Sequence, residues 1–89
     1  MPIQILSSPS ATGDTARELE RAISSAFPDA GVEVRANSPG HYEIRVVSGS
    51  FAQQSRVVQQ QRVYAAIAHL MKGDAAPVHA IDRLLTELP

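Results

Sequence analysis

The chain contains no cysteine. Disulfides, all-cysteine metal sites and a cysteine nucleophile are therefore excluded, and a reducing compartment is compatible with the sequence. Tryptophan is also absent and aromatic residues make up 4% of the chain, so aliphatic side chains must supply most of the core. Neither charge dominates: eight basic and nine acidic side chains leave a net charge of −1. Nucleic-acid modules usually carry a basic surplus or stripe, so only a local basic patch would serve that role here. No apolar run approaches the roughly 18–20 residues of a membrane span. Met1 to Gly13 lacks the basic start and apolar core of a signal peptide. These absences predict a soluble protein with the cytoplasm as its default location. Several chemical motifs are missing as well: Gly-x-x-x-x-Gly-Lys, a nucleophile elbow, His-Glu-x-x-His and the RNA-binding Gly-x-x-Gly loop. No local pattern points to an enzyme.

What remains is an ordinary globular composition, 44% hydrophobic over 89 residues, which predicts one domain with a small core. Residues 1–13, with Pro2, Pro9 and Gly13, read as a flexible N-terminal tail, and residues 14–89 as the domain. Thr15 and Glu18 have capping-box spacing, so a helix should open at Asp14 or Thr15. Ala16, Leu19, Ala22, Ile23, Ala26 and Phe27 then form one apolar stripe that Pro28 ends. Residues 32–36 alternate with period two, as do residues 42–46, and Asn37-Ser38-Pro39-Gly40 between them predicts a hairpin. Glu33, Arg35, Glu43 and Arg45 should share its outer face, where cross-strand ion pairs account for them without a ligand. Ser50 and Gln53 suggest a short helical turn beginning at Phe51. A long helix is expected from about Ser55 to Lys72, with Val57, Val63, Tyr64, Ile67, Ala68, Leu70 and Met71 as its apolar face. The last stretch is ambiguous. Val78 to Ile81 fits a third strand, while Ile81, Leu84, Leu85 and Leu88 have helical spacing. The result is an α+β domain, a three-stranded sheet covered by helices on one face.

Two groups of residues could carry chemistry. His79 stands between Val78 and Ala80, and if those point inward from a strand His79 points outward. An imidazole there can ligate a metal or cluster or move protons, although an edge histidine with no ligand shows the same pattern. His41, at the end of the turn, approaches His79 if the second and third strands are close. His69 falls on the polar side of the long helix and reads as a surface residue. The second group is Gln59-Gln60-Gln61. Gln60 lies within the apolar stripe and its neighbours flank it, which suggests either a half-wet domain edge or a polar contact surface for a partner or a nucleic-acid backbone.

Taken as a string, His41-Tyr42-Glu43-Ile44-Arg45-Val46-Val47-Ser48, then Phe51, Ser55-Arg56-Val57, Val63-Tyr64, Val78-His79-Ala80 and Thr86 resemble the BolA family. The resemblance covers roughly Asp14 to Thr86. Arg56-Val57, then Gln60-Gln61 and Val63-Tyr64, looks like the subgroup with glutamines where other members carry Arg-His-Arg. The resemblance implies a KH-like order: helix, two-stranded hairpin, short helical turn, long helix, third strand. It implies a non-enzymatic adaptor whose partner is a monothiol glutaredoxin, with a 2Fe–2S cluster shared between the two proteins and glutathione. It assigns the late histidine, His79, as a cluster ligand, and a second ligand from the hairpin loop, which here falls to His41. The protein alone is then a monomer or weak homodimer with no cofactor of its own, and Gln59, Gln60 and Gln61 are partner contacts. A second role associated with the family is DNA-binding transcriptional regulation in a stress response, for which Arg56, Arg62 and Lys72 would contact the backbone. Two departures from the family pattern stand out. Gln53 replaces the glycine of Phe-x-Gly, and the segment after His79 is shorter and richer in leucine, so the third strand is expected to end early and pass into a helical tail.

Overall fold

The computed structural model describes the backbone of residues 7–89 and the side chains from residue 13 onward. Its elements are helix α1 (Ser7–Ala26), strand β1 (Gly31–Ser38), strand β2 (His41–Val47), a 3-10 turn (Gly49–Phe51), helix α2 (Arg56–Ile67), a second 3-10 turn (Ala68–Leu70) and strand β3 (Ala80–Glu87). The sheet order is β1-β2-β3. β1 and β2 pair antiparallel through the hairpin, and β3 returns parallel to β2 after the α2 crossover. Among the described residues no helix is long and apolar enough to cross a membrane.

Helix α1 begins at Ser7, ahead of the capping box expected to open it. Thr15 is buried inside the helix rather than standing at its start. Pro9 falls in the first turn, where its missing N–H had no helical acceptor to lose. Residues 7–13 of the expected tail are therefore helical, and residues 1–6 lie outside the described residues. The apolar stripe does what its spacing implies: Leu19, Ile23 and Phe27 are buried against Tyr42, Ile44 and Val46 of β2 and Phe51, Val63, Ile67, Leu70 and Val78. The hairpin is in the expected register, with Glu33 opposite Arg45 and Arg35 opposite Glu43. Arg45 lies 3.5 Å from Glu33 and also donates to Glu87 of β3 at 2.9 Å, while Arg35 and Glu43 face each other without an ion pair.

The apolar face of α2 is narrower than its composition suggests. Val63, Ile67 and Leu70 are buried, but Val57 is 62% exposed and Tyr64 39%. At about 100° per residue those two stand roughly 100–120° around the helix from Val63, beyond the stripe that meets the sheet. Ser55 caps α2, its hydroxyl accepting from the Val58 N–H at 3.2 Å. The preceding turn is capped by Ser48 instead of Ser50 and spans Gly49–Phe51. Ser48 is fully buried and donates to Asp29, which also receives the Gly49 N–H at 2.9 Å. Those two bonds, the serine's first, hold the Asp29 carboxyl below its usual range. Gln53 has φ of 64°, a left-handed conformation.

The C-terminal segment is a strand to Glu87, not a helical tail. The register explains the misleading spacing. Ile81 pairs with Tyr42, but Glu43 pairs with Arg83, so Asp82 is an extra residue, a β-bulge. Ile81 packs inward before the bulge, and Leu84 and Thr86 do so after it. The bulge shifts the alternation by one and turns a period of two into an apparent helical repeat.

Candidate functional site

The hairpin turn and the start of β3 meet at one edge of the sheet. Pro39 and Gly40 make the turn, with Gly40 at φ 79°, the conformation glycine supplies after proline in a tight turn. The Gly40 carbonyl accepts two N–H groups, from His79 at 2.8 Å and Ala80 at 3.0 Å. A Cβ on Gly40 would stand 3.0 Å from the His79 Cβ, so the approach depends on glycine there. On the other side Val78, 1% exposed, donates its N–H to the Leu70 carbonyl at 3.1 Å. The backbone of His79 is thus held from both directions while the residue itself is exposed.

This arrangement brings His79 beside His41, the first residue of β2. The ring centroids are 5.5 Å apart and the planes are inclined by 52°. His41 Nδ1 lies 3.0 Å from Asp82 Oδ1, and Asn37 donates to the other carboxylate oxygen at 3.1 Å. Hydrogen bonds from His41 first, and then Asn37, keep the Asp82 carboxyl below its usual range. A carboxylate has no hydrogen to give, so Nδ1 is the donor, which in the neutral ring leaves the lone pair on Nε2. A metal-ligating histidine commonly gives its second ring N–H to a carboxylate in this way. Among the described residues no three His, Cys, Asp or Glu side chains are grouped to hold a metal ion. The pair therefore supplies at most part of a ligand set. Both histidines are legible in the sequence. Asp82 and Asn37 are not, although two polar residues in succession, Asp82-Arg83 inside an apolar run, are the mark a bulge leaves.

The remaining candidates are placed differently. Gln59 and Gln60 are both half-buried amides that face the domain. The Gln59 nitrogen donates to the carbonyls of Gln54 at 3.0 Å and Phe51 at 3.3 Å, and its oxygen accepts from the buried Thr86 hydroxyl at 2.7 Å. Gln60 donates to the Leu84 carbonyl at 3.2 Å, and Gln61 is exposed. The first two glutamines thus tie α2 to β3 and to the turn before it. Arg62 is also engaged within the domain: it donates to the Ser50 carbonyl at 2.9 Å and Gln54 Oε1 at 2.7 Å, and it lies 4.7 Å from the centroid of the Phe27 ring. Arg56 and Lys72 are exposed, one opening α2 and the other beyond the 3-10 turn that follows it. The 12 residues of α2, about 18 Å of helix, lie between them. His69 is exposed in the 3-10 turn and takes no part in the histidine pair.

Fold and site together define a small α+β domain that presents two imidazoles at one edge of a helix-backed sheet. The family model for BolA, described as BolA-like protein, matches residues 20–86, and the chain belongs to that family. Solved structures agree on the fold. The chain is similar to the BolA domain of SufE1 from Arabidopsis thaliana, with a TM-score of 0.71, 17% identity, and coverage of 84% of this chain and 92% of that one. It is similar to BolA1 from Arabidopsis thaliana at a TM-score of 0.68 and 16% identity, covering 83% and 90% of the two chains. A BolA homologue from Coxiella burnetii matches at 0.66 and 23% identity, with 82% and 88% covered. No curated protein matches the chain.

Proposed function

We propose that this protein is a non-enzymatic adaptor of the cytoplasm that partners a monothiol glutaredoxin in binding, trafficking or sensing a 2Fe–2S cluster. The supporting observation is the histidine pair, rings 5.5 Å apart at an exposed edge, with the His41 Nδ1 engaged by a carboxylate. A 2Fe–2S cluster takes four protein or thiol ligands, and histidine can replace cysteine on one iron. This chain offers two imidazoles and no thiol, so the donor set fits a half-site completed by thiolates from the glutaredoxin and glutathione. His79 is the principal ligand in this reading and His41 the second. When bound, an imidazole-ligated iron gives the cluster a higher potential than thiolates alone. Of the glutamine triplet, Gln61 faces outward and is the partner contact.

The test is reconstitution with a monothiol glutaredoxin, iron, sulfide and glutathione. A coloured heterodimer is expected, with a visible spectrum altered and a cluster lost faster on His79→Ala. His79 is exposed, so that variant should fold. An unchanged spectrum and lifetime would refute the ligand assignment, and failure to form any heterodimer would refute the adaptor reading.

A further inference from the structure

Both outer strands carry an extra residue beside Tyr42 of β2. In β1 the register passes from Ala36 opposite Tyr42 to Ser38 opposite His41, which leaves Asn37 unpaired. In β3 it passes from Ile81 opposite Tyr42 to Arg83 opposite Glu43, which leaves Asp82 unpaired. A bulge re-aims a side chain out of the regular alternation, and it commonly does so next to a functional site. Here the two bulge residues converge. Asn37 Nδ2 and Asp82 Oδ2 are 3.1 Å apart, and Asp82 Oδ1 is 3.0 Å from His41 Nδ1. Each carboxylate oxygen has one donor, so the carboxylate is fixed in rotation, and neither oxygen is directed at the His41–His79 gap by need of a partner.

We infer that Asp82, steadied by Asn37, is a positioning residue for the histidine pair: it takes the Nδ1 hydrogen of His41 and leaves Nε2 as the ligand atom presented beside His79. The inference rests on the reading of this edge as a ligand site, but its first consequence belongs to the protein alone. Free imidazole side chains favour the Nε2–H tautomer, and Asp82 reverses that preference at His41. Without the bulge, residue 82 would follow the regular pleat and the carboxylate would not meet the ring. Asp82 acts through His41 and is not itself a ligand.

Ring nitrogen NMR on the full chain without metal, at alkaline pH where imidazoles are neutral, tests this directly. His41 should be in the Nδ1–H tautomer in the wild type and revert to Nε2–H in Asp82→Ala, with exposed His69 as the Nε2–H reference. A wild-type His41 in the Nε2–H form overturns the inference whatever the variants do, and so does a tautomer unmoved by Asp82→Ala. In the reconstituted complex Asp82→Ala should shorten the cluster lifetime about 10-fold, the lower end of what loss of such a partner produces. A tautomer change with an unaltered lifetime would overturn the positioning role. If the wild type forms no complex with the glutaredoxin, the adaptor reading fails while the tautomer measurement still decides this one.

Discussion

Gly40→Ala tests whether the hairpin turn and His79 are mechanically one unit. Two costs combine. Gly40 has φ of 79°, where an L-residue costs about 1–2 kcal/mol, offset in part by about 0.4–1 kcal/mol from the lower entropy of the unfolded alanine chain. The added methyl would also stand 3.0 Å from the His79 Cβ. Relief requires the turn to move off His79, and that stretches the bonds from the His79 and Ala80 N–H groups to the Gly40 carbonyl, each worth about 0.5–1.5 kcal/mol. The net loss should be about 1–3 kcal/mol. With a urea m-value of about 1 kcal/mol/M for a domain this small, the midpoint falls by about 1–3 M. Gly73→Ala is the internal control: φ is 86° there, but a Cβ at that position would meet no atom within 4 Å, so it carries the backbone cost alone. Urea unfolding of both variants, followed by far-UV circular dichroism, separates the two terms. Equal midpoints for the two variants would refute the contact argument, and a Gly40→Ala midpoint equal to wild type would refute both.

Gln53→Gly should stabilise the domain by about 0.5–1 kcal/mol, since removing a left-handed L-residue outweighs the entropy of a new glycine, and thermal melting should show a rise of about 2–8 °C; a lower melting temperature would contradict the strain assigned to φ 64°. Gln59→Ala removes three hydrogen bonds and leaves the Thr86 hydroxyl, 4% exposed, without its acceptor, so it should cost about 1–3 kcal/mol. Adding Thr86→Val to that variant should recover part of the loss in urea unfolding, and a strictly additive double variant would show that the pair is not coupled. Stability should decline in acid. The carboxyls of Asp29, Asp82 and Glu87 are all held below their usual range, by Ser48, His41 and Arg45 respectively, so their contribution is complete above the unfolded carboxylate pKa of about 4 and is lost as pH falls through the lower folded values. A urea midpoint that stays level or rises between about pH 5 and pH 3 would contradict those shifts.

The parts legible in the sequence are those governed by a single local rule. The stripe Leu19-Ile23-Phe27 and the alternation of residues 42–46 each have one period, and both lie in the core as expected. The turn at Pro39-Gly40 is named by its residues. His41 and His79 stand out as candidates, and their proximity follows once β3 is placed beside β2. What is not legible requires tertiary knowledge. The capping-box pattern puts the start of α1 at a threonine that the fold buries instead. The exposure of Val57 and Tyr64 follows from the width of the sheet that α2 covers, which residue spacing on the helix does not reveal. Gln60 is half-buried as its place in the stripe implies, but Gln59 is half-buried beside it: the contact is centred on Val63, and at about 100° per residue Gln59 lies nearer that line than Gln60.

The two bulges account both for the ambiguity of the C-terminal segment and for the composition of the site. Had β3 been regular, Asp82 would have held a paired place opposite β2 and the inward set would have kept the parity of Ile81. Inserting one residue shifts the inward set to Leu84 and Thr86 and places Arg83 and Leu85 outside. The same insertion frees Asp82 from the ladder and lets its carboxylate reach His41. Such an interruption costs strand pairing, and here it occurs in both neighbours of β2, at the end where the histidines meet. Disruption on both sides of one residue is what would be expected if the ladder yields to the needs of the site. A deletion of Asp82 should therefore do more than remove a hydrogen bond. It would also restore regular pairing with β2, because Arg83 would then follow Ile81 directly opposite Glu43, while Leu84 and Thr86 would keep their inward places opposite Ile44 and Val46. Such a variant should therefore fold, and, like Asp82→Ala, which keeps the residue count and the bulge, it should lose the hold on His41. A deletion variant that lacked a native-like spectrum or cooperative urea unfolding would refute the parity argument.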